Sequence, residues 1–144
     1  MYPISFLLEV LMRKKAFLIL FLIVFLGCAT EWQNPNTSLP ARELNILAIL
    51  ANPVVYDSAG VIVEGKVWDL RFGSLNEKDT EIPYTHFKLA DRDGNFVNVF
   101  AVGDVPVTEG DIVKVLGIYR REYKTENYSF INEIEAKKIE NKGP

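Results

Sequence analysis

Two separate stretches of the chain share one pattern: Val61-x-Val63-x-Gly65-x-Val67 and Val113-x-Val115-x-Gly117-x-Tyr119. Apolar residues alternate in both, as they do along a strand with one buried face. A glycine falls where the next inward side chain would stand. Losing a Cβ there lets a strand coil sharply and turn a corner. The same period predicts five strands, over about 61–71, 84–90, 95–102, 112–122 and 127–139. A polar loop is expected over 72–83, a hairpin turn at Asp91-Arg92-Asp93-Gly94, and a short crossing from Gly103 to Asp111 through Pro106. Five strands, with long bent ones in first and fourth place, are what a small closed barrel needs to remove its edges.

The residues before the barrel divide into three. Residues 41–53 (ARELNILAILANP) carry apolar positions on one helical face, with Thr37 or Ser38 as cap, Pro40 in the first turn and Asn52-Pro53 as stop. Residues 28–40 are polar, hold two prolines and show no period, which reads as a linker. Ahead of them, Arg13, Lys14 and Lys15 precede an unbroken apolar run from Ala16 to Leu26, closed by Gly27-Cys28. A basic start, a short apolar stretch and a small residue at the cut make an export signal over 1–27. The run is too short for a comfortable membrane-spanning helix, which needs about 20 residues. Residues 1–11 sit awkwardly before the basic triplet, and a true start at Met12 explains them. With Glu9 the first 27 residues carry a net +2, so the formal −3 of the whole chain becomes −5 for the remainder. No basic excess points to nucleic acid, and one Cys with one His excludes a disulfide framework, a zinc finger or a multi-His metal site from this chain alone.

Gly27-Cys28 resembles the lipobox of bacterial lipoproteins, which implies that Cys28 becomes a lipidated N-terminus; the alternative is a leader kept as an uncleaved anchor. Either one implies attachment to a membrane at the cell envelope, on its extracytoplasmic (in a diderm, periplasmic) face. The barrel segment resembles the OB-fold, similar to the anticodon-binding, nucleic-acid-binding type. The carriers are Asn52-Pro53…Tyr56, Val63-Glu64-Gly65-Lys66-Val67, Phe87-x-Leu89-x-Asp91-x-x-Gly94 and Gly110-Asp111-x-Val113-x-Val115-x-Gly117. The fold class expected is therefore all-β with one N-terminal helix: a five-stranded OB-fold Greek-key barrel over 54–140, with 141–144 as a tail. The helix usually found between the third and fourth strands has no room between Gly103 and Asp111.

OB domains bind on the face of the second and third strands, between the loops joining strands one to two and four to five. With Phe87 and Leu89 inward, Tyr84, His86 and Lys88 point out. The third strand has two possible phases. Large aromatics in a small barrel are usually buried, which favours Phe96 and Phe100 inside. In the other phase Val97 and Val99 are inside, and Phe96, Asn98 and Phe100 extend an aromatic platform suited to stacking bases. Lys66 and Trp68 share the outward side of the first strand, where Trp68 either stacks on a ligand or covers the barrel. His86, with no second ligand residue, reads first as a surface strand residue. Arg120, Arg121, Tyr123, Lys124 and Tyr128 cluster near the last hairpin, either as a nucleic-acid-like patch or as solvated edge charges; Glu77, Asp79 and Glu81 would repel phosphate. Asp91 to Gly94 lacks calcium-loop spacing and reads as a turn.

No nucleophile elbow, phosphate cradle or partnered His is present, so a non-enzymatic module without cofactor or metal is expected. The tail has no His of the kind that attaches heme in the OB-type heme chaperones. The expected partner is a protein, peptide or small envelope ligand. Single-stranded nucleic acid, or an oligonucleotide, is the alternative.

Overall fold

A computed structural model describes residues 30–33, 39–124 and 129–144. The export signal, Cys28, the cap candidates Thr37 and Ser38, and Tyr128 lie outside these residues. Seven strands and two short helices are described: β1 (Thr30–Gln33), β2 (Arg42–Glu43), α1 (Ile46–Ala51), α2 (Pro53–Tyr56), β3 (Gly60–Glu77), β4 (Thr80–Ala90), β5 (Phe96–Val102), β6 (Ile112–Lys124) and β7 (Ser129–Asn141).

The alternating residues of the five long strands supply the core. Val61, Val63, Val67, Phe87, Leu89, Val113, Val115, Ile134 and Ile139 are all buried, and Ile46 and Ile49 of α1 join the same cluster. β3 pairs antiparallel with β4 and with β6, β4 with β5, and β6 with β7. The circuit closes through a short parallel pairing of Asn98–Phe100 with Glu133–Glu135. The closed order β3-β4-β5-β7-β6-β3 is that of an OB barrel. The glycine corners are where the sequence places them. A Cβ on Gly65 would stand 2.7 Å from the Ala90 carbonyl oxygen, and one on Gly117 only 2.4 Å from that of Glu135. The β6–β7 register shifts between Leu116 and Gly117. Between β5 and β6 the chain crosses without a helix, held by Thr85, whose buried hydroxyl donates to the Gly103 carbonyl at 2.8 Å and accepts from the Val105 amide at 3.0 Å.

Four expectations need correction. A single helix over 41–53 is replaced by two. Arg42 and Glu43 pair parallel with Val61 and Ile62, so the helix starts later, at Ile46, capped by Asn45 Oδ1 accepting from the Ala48 amide at 2.6 Å. Asn52 then leaves the helical region (φ −137°, ψ 55°), as a residue before proline tends to, and Pro53 opens α2 in the first-turn position it favours. The 28–40 linker contains β1, which pairs with Lys138–Asn141 and packs Trp32 against the core. Finally, the polar loop expected over 72–83 is a continuous hairpin, with Gly73 opposite Tyr84 and Glu77 opposite Thr80. Its tip is Lys78-Asp79, both at positive φ (47° and 63°), the conformation of a two-residue primed turn. Asn141 also belongs to β7, and the tail beyond it is tied to β6 by Ile112 N–H donating to the Gly143 carbonyl at 2.8 Å.

Candidate ligand-binding groove

In β5 the valines are inside. Val97 and Val99 are fully buried, whereas Phe96 is 38% exposed and Phe100 is half-buried on the outer face. The favoured core placement of Phe96 and Phe100 is therefore wrong. The cause is phase: β5 pairs Val97 with Leu89 and Val99 with Phe87, both inward residues of β4, and cross-strand partners share a face.

That phase builds a groove of about 480 Å³ on the β4–β5 face, between the β3–β4 hairpin and the ends of β6 and β7. Its size falls in the usual range for ligand pockets. Tyr84 and Phe100 stack with ring centres 5.4 Å apart, and Phe130 lies 6.4 Å from Phe100 and 6.1 Å from His86. Gly73 makes room for Tyr84, since a Cβ there would come within 2.6 Å of the tyrosine ring. Strand register brings the polar residues together. Arg71, His86, Phe100 and Glu135 follow one another as partners across β3, β4, β5 and β7. Lys88, Asn98, Glu133 and Arg120 do so across β4, β5, β7 and β6.

A bulge between Trp68 and Arg71 puts Arg71 over the groove. Glu109 holds this bulge: its carboxylate accepts from the Asp69 amide at 2.9 Å and the Leu70 amide at 3.0 Å, with Asp69 at φ 53°. Across the groove, Asn132 takes φ 51° and its Oδ1 accepts from the buried Tyr119 hydroxyl at 2.5 Å. The next residue, Glu133, lines the groove while only 5% exposed.

Electrostatically the groove is unusual at its floor. Glu133 Oε2 is 3.8 Å from His86 Nε2, and neither atom has a hydrogen-bond partner; Arg120 Nε is a third buried atom without one. Burial, with Glu135 beside it, raises the Glu133 carboxyl from 4.5 to about 7. Burial, then the Arg71 cation, holds His86 below its ordinary value against the opposing pull of Asp69. Near neutrality the pair is therefore an uncharged imidazole facing a carboxyl close to half-protonated, and not an ion pair. Both lining arginines face carboxylates. Arg71 pairs with Asp69 at 3.0 Å, and Arg120 approaches Glu135 at 3.9 Å while donating to the Ser58 hydroxyl.

The structure divides the residues expected at the site. Tyr84, His86, Phe100, Arg120 and Tyr123 line the groove. His86 is thus no simple surface residue; its side chain is 22% exposed. Lys88 lies beside the groove, between the rings of Trp68 and Phe96 at 5.5 and 5.1 Å, and pairs with Asp69 at 3.0 Å. Trp68 is more than half exposed and does not cover the barrel. Lys66, Arg121 and Lys124 are exposed and outside the lining. Asp91 closes a turn: its Oδ1 accepts from the Asp93 and Asn95 amides at 2.9 Å.

Arg71, Leu75, Phe130, Glu133 and Glu135 also line the groove and were not anticipated. The one available signal was Glu133, an acidic residue between the apolar Ile131 and Ile134.

No protein-family model and no curated protein matches the sequence. Among solved structures, the chain is similar to the OB domain of a Thermoplasma acidophilum protein determined by solution NMR, with 15% identity and a TM-score of 0.47, covering 71% of this chain and 87% of that one. The strand circuit defines the class: an OB-fold barrel, here with an aromatic-walled groove on its β4–β5 face.

Proposed function

We propose that the barrel is a binding module that takes a planar, uncharged or weakly charged group of a small molecule or peptide into this groove. It performs no chemistry of its own. The export-type leader would hold it at the extracytoplasmic surface of the cell envelope, through Cys28 or through the leader itself.

The observation carrying the reading is that the rings of Tyr84, Phe100 and Phe130 line the same groove as the buried Glu133. Aromatic walls with a few convergent polar groups are the usual make-up of a ligand site. Nucleic acid is the second reading, favoured by the outward Phe96 and Phe100, which could stack bases. Charge weighs against it: the lining cations Arg71 and Arg120 each face a carboxylate, and phosphate binding needs free cations.

Two titrations on the full-length protein in detergent separate the readings. The tripeptide Gly-Trp-Gly should bind saturably, with an affinity insensitive to salt and lost in a Phe100→Ala variant. Labelled oligo-dT should show no binding even at low ionic strength. Oligo-dT binding that weakens steeply with salt, without tripeptide binding, would replace the first reading with the second.

A further inference from the structure

Resting on the proposed groove, we infer that its ligand presents a cyclic amide edge, an N–H beside a C=O in one plane, to Glu133 and Arg120. Three residues that line this groove each carry a buried polar atom without a hydrogen-bond partner: Glu133 Oε2, Arg120 Nε and His86 Nε2. Buried polar groups in folded proteins are nearly always paired; His86 Nε2 faces Glu133 Oε2 at 3.8 Å, so Arg120 Nε and Glu133 Oε2 mark what an occupant must satisfy. Arg120 Nε can only donate. The ionised Glu133 oxygen can only accept. Arg120 and Glu133 are direct cross-strand partners on β6 and β7, so one ligand edge can meet both.

Charge narrows the ligand class. An anion would satisfy Arg120 but be repelled by Glu135 and by Glu133 in its ionised form; a cation would do the reverse. A neutral group with a donor next to an acceptor satisfies both and leaves the Arg120–Glu135 contact at 3.9 Å intact. The walls add the second requirement. Tyr84 and Phe100 stack at 5.4 Å and offer flat aromatic contact, so the amide belongs on a ring that can lie along them. An open-chain trans amide presents its N–H and C=O to opposite sides; a lactam presents them to the same side. Two sources share this chemistry, a lactam heterocycle and a cyclic dipeptide.

Isothermal titration of the full-length protein in detergent tests the inference with four probes. These are hypoxanthine, 1-methylhypoxanthine, cyclo(glycyl-phenylalanyl) and its N,N′-dimethyl derivative. Hypoxanthine, the cyclic dipeptide, or both should bind at least about tenfold more tightly than the methylated counterpart, because methylation removes the donor and leaves a buried acceptor unpaired. Whichever parent compound shows the difference identifies the source. Glu133→Met should abolish the discrimination and Glu133→Gln, which keeps an acceptor, should retain most of it; Arg120→Lys should weaken both parents. Equal binding of parent and methylated probes would overturn the cyclic amide while leaving an aromatic groove standing. Absence of binding by all four, with Gly-Trp-Gly still bound, would also overturn it. Failure of Gly-Trp-Gly as well would remove the groove reading itself.

Discussion

Replacing Glu133 with Gln should leave stability unchanged at pH 4 and raise it at pH 8.5 by up to roughly 3 to 4 kcal/mol, as read from urea midpoints across pH. The carboxyl is 5% exposed, and its value in the folded protein rises from 4.5 to about 7. A carboxyl with a raised folded value binds more protons folded than unfolded between those limits. Stability therefore falls as pH climbs from about 4.5 through 7, then stays flat above. At about 1.4 kcal/mol per pH unit, the displacement from 4.5 to about 7 sets an upper bound on the loss of roughly 3 to 4 kcal/mol, and Gln removes it. The groups facing Glu133 are His86 from β4, Arg120 from β6 and Glu135 from its own strand, with Arg71 at the rim. His86, held low, acts on the acid side: stability is lost as pH falls below its ordinary 6.5, because only the unfolded chain then protonates it. That loss is common to both proteins and cancels in the comparison. Parallel pH profiles for wild type and Glu133→Gln would show that Glu133 is solvated.

Gly117→Ala should destabilise the barrel by about 3 kcal/mol or more, the upper range for overpacking a rigid site. The added methyl would sit 2.4 Å from the Glu135 carbonyl oxygen and 2.6 Å from Ile134 Cγ2. Backbone in β7 would have to move, since a carbonyl has no alternative rotamer. The register shift between Leu116 and Gly117 and the close approach of β7 belong to the same corner, and Glu135 lines the groove, so the variant should also lose ligand binding. Lys66→Ala, at an exposed position on β3, serves as a control expected within about 0.5 kcal/mol of wild type. A Gly117→Ala protein with a wild-type urea midpoint would mean that the corner is not tight.

Much of the barrel could be read from period-two alternation because one face of each strand is buried. The two corner glycines were visible for the same reason, as gaps in an inward series. The hairpin between β3 and β4 was not, since Lys78-Asp79 lacks the Asn-Gly chemistry that marks such turns, and Gly73 and Pro83 made its strands look like loop. β1 depends on pairing with Lys138–Asn141, a contact far away in sequence that Thr-Glu-Trp-Gln does not announce. The site divides along similar lines. Tyr84 and His86 follow from the phase of Phe87 and Leu89. Phe96 and Phe100 needed the phase of β5, which residue size alone predicts wrongly. Glu133 needed the left-handed turn at Asn132, and Arg71 needed the bulge that Glu109 holds. Irregularities of this kind break the period on which sequence reading rests.

On the proposed reading, Tyr84, Phe100, Phe130 and Glu133 line one ligand site. Its most direct test is an aromatic and carboxyl carbon NMR titration of the full-length protein in detergent with Gly-Trp-Gly. The expected result is saturable shifts of the Tyr84, Phe100 and Phe130 rings and of the Glu133 carboxyl carbon, with the Tyr56 ring unmoved. Shifts confined to Trp68 and Phe96, or no saturable shift at these rings, would contradict it.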